Sequence, residues 1–308
     1  MKTSISQSSI PDASCFSLLK AHGILVEACR SVGLSSQGAE LIRLGENAVY
    51  RLRNEPVVVR IARSLDRLPI AEKTILAARW LHSVGIAVVL PLPDLTQPAV
   101  IDEQVVTYWT AIPTAPIPTF TDLAPILNKL HSLQPPESLS LPPWDPFAPI
   151  TKRLNQAQGV DQESLDFLHF RTVDLQRQYS DHCFASASTV IHGNPDVTNL
   201  LRSPEGQILL IDLDNLAIGI PEYDLAEIGV NYHSMGWCSE SDYRGFSTTY
   251  GRDILKSPDF PLLSGILELE RVTWLMQNVT TSRATAREFK WRVQTLREEI
   301  IPRHWHVF

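Results

Sequence analysis

The stretch Val190-Ile191-His192-Gly193-Asn194-Pro195-Asp196-Val197-Thr198-Asn199-Leu200-Leu201 decides how this chain is read, together with Ile208-Leu209-Leu210-Ile211-Asp212-Leu213-Asp214 just after it. Short apolar runs flank a loop rich in turn-forming residues, and Ser203-Pro204-Glu205-Gly206 reads as the turn of a small β insertion. A hairpin of that length brings Asn199 and Asp212 together at one end. Strand alternation puts Asp214 on the same face as Asp212. Amide and carboxylate oxygens suit Mg²⁺, a hard cation that keeps some water and completes its shell with phosphate oxygens. Taken singly, each of these residues reads more simply as a turn cap. The ordered set favours the cation: His192-Gly193, then Asn199, then an apolar strand ending in Asp212.

The bulk properties leave room for that chemistry. At 308 residues the chain is long enough for a two-lobed enzyme with a real core. Its 44% hydrophobic and 20% charged residues are those of a globular protein. No apolar run approaches the roughly 18–20 residues of a membrane span, so no membrane partner is expected. The polar start Met1–Ile10 lacks the apolar segment of a secretory signal. Cys15, Cys29, Cys183 and Cys238 form no CxxC pair, which argues against structural zinc and a disulfide framework and makes the cytoplasm the expected location. The net charge of −7 is uneven: residues 16–100 carry ten Lys/Arg against seven Asp/Glu, and residues 181–280 five against fourteen. A basic first part suits phosphate, and an acidic second part suits metal or a cationic substrate; two solvated surfaces of opposite sign account for it equally well. No basic run supports nucleic-acid binding.

Periodicity predicts a helix over 12–33, with Phe16, Ile24, Leu25 and Ala28 on its apolar face and Gly33 at its end. Residues 46–52 and 56–63 read as strands around the turn Arg53-Asn54-Glu55. A helix from Pro69 to about Gly85 and short strands at 88–90, 99–101 and 105–109 follow. Pro113, Pro116 and Pro118 mark a connection, and a division into 1–109 and 110–308 is expected. The second part turns helical. One helix ends in Leu127-Asn128-Lys129-Leu130-His131-Ser132-Leu133, others span about 147–157 and 161–180, and helices dominate again from Tyr223 to about Glu299.

With these motifs in order, the chain resembles the aminoglycoside phosphotransferase and choline-kinase-like family, small-molecule relatives of the protein kinases. The family pattern is His-Gly-Asp-x-x-x-x-Asn, then Ile-Asp-Phe/Leu-Asp/Glu, then Gly-x-Pro-x-x-Asp-Leu-Ala, here Gly219-Ile220-Pro221-Glu222-Tyr223-Asp224-Leu225-Ala226. The resemblance runs from Gly45-Glu46-Asn47 and Val57–Arg60 to Glu268–Leu275. It implies an α+β, bilobal protein-kinase-like fold with a small β-rich N-lobe and a larger, mainly helical C-lobe. It also implies ATP (or GTP) with Mg²⁺ and a small hydroxylated substrate, in a monomer or homodimer. Asn199 and Asp212 would hold the metal, with Asp214 secondary, and His192 would brace the loop rather than react. Asp224, opening a helix at Leu225–Val230, would cap it and brace the loop.

The nucleotide side departs from the protein-kinase pattern. Gly45 is the only glycine of the expected phosphate loop, leaving Glu46-Asn47-Ala48 to form a tight turn. Arg60 stands where a lysine is expected, and its planar fork can grip phosphate. Burying that guanidinium unpaired in an apolar strand would be costly, so a partner is expected, phosphate or an acid such as Glu72. A snorkelling, exposed arginine is the plainer alternative. Val105–Trp109, with Thr107 and Trp109, would be the hinge whose backbone meets adenine.

The catalytic carboxylate position carries Asn194. An amide cannot take the proton of a substrate hydroxyl, and the loss would be roughly 10²–10⁴-fold. Three readings stay open: an Asp-to-Asn replacement that traps a substrate complex, a variant in which Asp196 acts as base, and a pseudoenzyme that binds nucleotide without turnover. The expected function is ATP-dependent O-phosphorylation of a small molecule, an antibiotic of aminoglycoside or other sugar or nucleoside type in a resistance role. A metabolic kinase for a sugar, amino alcohol or nucleoside is the alternative. Tyr232, His233, Trp237, Glu270 and Trp274 would line the substrate site of the helical lobe.

Overall fold

A computed structural model describes residues 18–113 and 116–308. The start of the first expected helix, Phe16, Cys15 and the polar stretch Met1–Ile10 lie outside the described residues. The chain divides into two compact units, one running to Arg79 together with Val89–Ile112, the other made of Trp80–Val88 and Pro113–Phe308.

The first unit opens with α1 (Leu18–Ser31), which buries Ala21, Ile24, Leu25, Ala28 and Cys29, a one-sided stripe at helical spacing. Next come β1 (Glu40–Leu44), β2 (Asn47–Arg51) and β3 (Val57–Ala62), then α2 (Leu68–Ser83), β4 (Ala99–Ile101) and β5 (Gln104–Thr110). The five strands form one antiparallel sheet in the order β1-β2-β3-β5-β4. Ala48 and Tyr50 of β2 and Val57, Val59 and Ile61 of β3 alternate into a core shared with α1, Val106 and Tyr108. The Tyr108 hydroxyl donates to Ala28 O at 2.9 Å, tying sheet to helix.

Two strand expectations change. β1 escapes the sequence pattern because its side chains are mostly exposed; backbone pairing with β2 defines it, across a bulge between Leu41 and Arg43. Residues 88–90 are not a strand. Only single bridges form there, Val88 to Leu210 and Pro91 to Trp109, because Pro91 and Pro93 have no N–H to extend a ladder.

The second unit is mainly helical. It contains α3 (Phe120–His131), α4 (Phe147–Asn155), α5 (Gln162–Asp181), β6 (Thr189–Ile191), β7 (Leu200–Arg202), β8 (Ile208–Leu210) and β9 (Ala217–Gly219). α6 (Pro221–Val230), α7 (Glu240–Tyr250), α8 (Phe260–Met276) and α9 (Arg283–Arg297) complete it. α8 is apolar almost all round and is the buried axis of the unit. The strands make two small antiparallel ribbons, β6 with β9 and β7 with β8. α6 begins at Pro221, with proline in the first turn where its missing N–H costs nothing, earlier than the expected Leu225.

Candidate active site

The loop from His192 to Asn199 leaves β6 and enters β7. Asp224 holds it from below. This side chain is fully buried, and its carboxylate accepts from His192 N at 2.7 Å and Gly193 N at 2.9 Å. His131 Nε2 meets the same carboxylate at 3.0 Å. Asp224 therefore braces the loop but does not cap its helix, whose N-cap is Ile220 with no side-chain bond. His192 is fully buried and lies 3.2 Å through Nε2 from Ile211 O, while its Nδ1 has no hydrogen-bond partner among the described residues. Gly193 sits at φ +79°, where an added Cβ would stand 2.7 Å from Asn215 O and 2.9 Å from Trp144. Only glycine fits there.

The hairpin aligns Leu200 with Leu210, and Ile211 N donates to Asn199 O at 2.9 Å, which sets Asn199 and Asp212 at the same end. Asn199 gives its amide N–H to Asn194 O at 2.9 Å, leaving its amide oxygen for another partner. Asp212 has left-handed backbone, φ 58°, and opens a 3₁₀ turn over Leu213–Asn215. The alternation argument for Asp214 does not hold, because strand pairing ends at Leu210 and Asp214 lies inside that turn. An amide oxygen and a carboxylate at one hairpin end fit Mg²⁺ by donor chemistry. Asn194 is exposed. Asp196 is half-exposed, and its Oδ1 accepts from Thr198 N at 2.8 Å and Thr198 Oγ1 at 2.7 Å.

The expected substrate residues fall into two groups. Trp237 donates through Nε1 to Trp305 O at 2.6 Å, and the Arg271 guanidinium lies 5.6 Å over its ring. Arg271 also donates to Glu227 Oε2 at 2.6 Å and Asn231 Oδ1 at 2.8 Å. Glu270 is paired with Arg153 at 2.8 Å, and half-buried Trp274 follows one turn later on α8. Burial pushes the Glu227 carboxyl up to about 7; Arg271 opposes this, and the charges of Glu270 and Asp196 add to it. Tyr232 and His233 are held otherwise, Tyr232 stacked on Tyr243 at 4.8 Å and the exposed His233 edge-on to Phe260 at 5.8 Å. Four acids of this region are paired internally: Glu222 with Arg252, Glu227 with Arg271, Glu268 with Arg303 and Glu270 with Arg153.

In the first unit, Gly45 and Glu46 form the two-residue turn between β1 and β2. Arg63 Nε donates to Gly45 O at 2.6 Å, and Arg67 lies 3.4 Å from Glu46. Arg60 is half-buried on β3, and Asn47 Oδ1 accepts from its Nε at 3.1 Å and Nη2 at 2.7 Å when the amide oxygen faces the guanidinium. Glu72 is an exposed position of α2. Thr107 and Trp109 lie inside β5, with Trp109 Nε1 donating to Thr107 Oγ1 at 2.8 Å. The hinge reading of Val105–Trp109 is corrected, because that backbone is spent on both edges. β3 pairs along one side; on the other, Tyr108 N donates to Gln97 Oε1 at 2.8 Å and Tyr108 O accepts from Leu92 N at 2.9 Å.

Residues 39–259 match the sequence profile of the phosphotransferase enzyme family. The chain belongs to that family. Solved structures of similar fold include the amicoumacin kinase hAmiN in complex with AMP-PNP, Ca²⁺ and Ami, at 13% identity and TM-score 0.71, covering 91% of this chain and 95% of that one. The choline kinase LicA from Streptococcus pneumoniae is similar at 16% identity and TM-score 0.66, covering 90% and 98%. A microcompartment-associated aminopropanol kinase is similar at 17% identity and TM-score 0.67, covering 92% and 99%. No curated protein matches in sequence. These neighbours share the two-part α+β protein-kinase-like fold.

Within this phosphotransferase fold, sequence reasoning missed His131 as a support of the loop, and Glu227, Asn231 and Arg271 as a buried cluster beside Trp237. His131 was visible only as a helix end, 93 positions from Asp224. Glu227 lies three positions after Asp224 on a helix that is buried all round, so no amphipathic pattern singled it out.

Proposed function

We propose that this phosphotransferase moves the γ-phosphoryl group of ATP to a hydroxyl of a small molecule. The observation that carries the reading is the loop His192–Asn199, braced by the buried Asp224 and joined to the Asn199–Asp212 hairpin end. Asn199 and Asp212 would hold Mg²⁺, which when bound neutralises phosphate charge. Arg60, ordered by Asn47, would pair with phosphate oxygens. The acceptor oxygen bonds to the γ-phosphorus as the bond from that phosphorus to the ADP oxygen breaks, and the hydroxyl proton needs a base. Asn194 offers only a neutral amide. Asp196 offers a half-exposed carboxylate whose Oδ1 is held by Thr198 and whose Oδ2 accepts no hydrogen bond among the described residues. We assign the proton to Asp196.

For the acceptor, the pairing of Glu270 with Arg153 and of Glu227 with Arg271 favours a neutral or weakly charged polyhydroxylated molecule, such as a sugar-bearing antibiotic, over a strongly cationic one. A metabolic amino-alcohol kinase is the second reading, favoured by the fold shared with choline and aminopropanol kinases. ADP release should be followed across an antibiotic and metabolite panel for the native chain, Asn194→Asp and Asp196→Ala. Asp196→Ala should abolish turnover. Turnover that survives Asp196→Ala but rises roughly 10²–10⁴-fold in Asn194→Asp would move the base to position 194. A thermal shift with nucleotide but no ADP from any form would leave a nucleotide-binding protein without transfer activity.

A further inference from the structure

Asp224 receives one donor that does not come from the loop. His131 Nε2 lies 3.0 Å from Asp224 Oδ2, and His131 Nδ1 lies 2.8 Å from the Tyr250 hydroxyl. A carboxylate can only accept, so Nε2 carries the proton in the neutral ring, and Nδ1 is then an acceptor that Tyr250 O–H must fill. Burial pushes the Tyr250 phenol up to about 12, with the Asp224 charge adding, so it remains a donor at neutral pH. The hydrogen bonds run without a break from the end of α7 through α3 to the backbone N–H groups of His192 and Gly193.

We propose that Tyr250 is a positioning residue for the catalytic loop, acting through the tautomer of His131 on the Asp224 carboxylate. Three contacts hold Tyr250 apart from its hydroxyl. Its ring stacks on Phe246 at 6.1 Å and meets the His131 ring edge-on at 5.7 Å, and its carbonyl accepts from Asn128 Nδ2 at 2.9 Å. Arg252 independently pairs with Glu222 at 2.6 Å, so the start of α6 stays tied to the segment after α7 when the hydroxyl is gone. Tyr250→Phe therefore removes one hydrogen bond and leaves the packing.

The test uses the full chain and reads the loop directly. In Tyr250→Phe, exchange of the His192 and Gly193 amides should quicken about three- to tenfold, the worth of one buried hydrogen bond, with α3 and α7 amides unchanged. The ¹⁵N resonances of the His131 ring should move away from a single Nε2–H tautomer. His131→Gln, which keeps a donor and an acceptor, should protect the loop better than His131→Leu. Unchanged loop exchange and ring resonances would overturn the proposal, and so would exchange that quickens equally in α3 and α7. A kinetic arm rests on the phosphotransferase reading: in the otherwise native chain, Tyr250→Phe should lower kcat with KM unchanged. If no form releases ADP, that reading fails while the exchange result still decides the role of Tyr250.

Discussion

Two glycine-bearing turns, one in each unit, are built differently. Gly193 has positive φ, has no room for a Cβ, and gives its N–H to a fully buried carboxylate. Gly45 has ordinary backbone, and an added Cβ would meet only the Arg43 side chain, at 3.4 Å. The turn at Gly45 is held from outside by Arg63 and Arg67; the loop at Gly193 is held from inside by Asp224. One is preorganised by buried hydrogen bonds worth more because no water competes. The other depends on exposed contacts that contribute little.

That contrast can be broken by substitution. Asp224→Ala strips the acceptor from two buried backbone N–H groups and His131 and should cost roughly 3–5 kcal/mol in chemical denaturation. A loss under ~1 kcal/mol would mean that the loop is held by something else. Gly193→Ala should cost about 2–3 kcal/mol from the backbone conformation alone, before the clash with Asn215 O is relieved. Gly45→Ala should stay within about 1 kcal/mol, and a cost equal to that of Gly193→Ala would erase the distinction between the two turns. Glu46→Ala, which removes the exposed pair with Arg67, should move stability by no more than about 0.5 kcal/mol.

Glu227 sharpens the comparison through pH. Its folded carboxyl titrates near 7 rather than at the ordinary 4.5, so the folded state holds the proton more tightly than the unfolded chain. The resulting stabilisation is fully present below 4.5 and is lost as pH rises through about 7. The Tm of the native chain should therefore fall across that window relative to Glu227→Gln, which keeps an acceptor for Arg271. Parallel Tm profiles would show that Glu227 is ionised throughout.

What was legible in the sequence follows the range of the forces involved. β2 and β3 showed in the alternation of Ala48, Tyr50, Val57, Val59 and Ile61, because half-buried strands write a period of two. The ordered motif from His192 to Asp212 revealed the family, since a loop and hairpin are local. β1 did not show, because an exposed edge strand has no burial pattern and is defined only by its partner. The pairing of His131 with Asp224, and of Arg271 with Glu227, was hidden for a related reason: each joins helices distant in the chain, and no local rule couples them. Asp214 was misplaced because the strand gives way to a 3₁₀ turn at Asp212, a switch of period that apolar residues on both sides conceal.

The left-handed backbone of Asp212 sets rigidity against the proposed chemistry at a single codon. Aspartate adopts that conformation more readily than most residues, yet glycine meets no Cβ penalty there at all. A library of this chain sorted only for heat resistance should enrich Asp212→Gly, and on the role proposed for Asp212 the winners should bind Mg²⁺ less tightly. Thermal hardiness in such variants would then come with loss of the proposed phosphoryl transfer rather than with better packing.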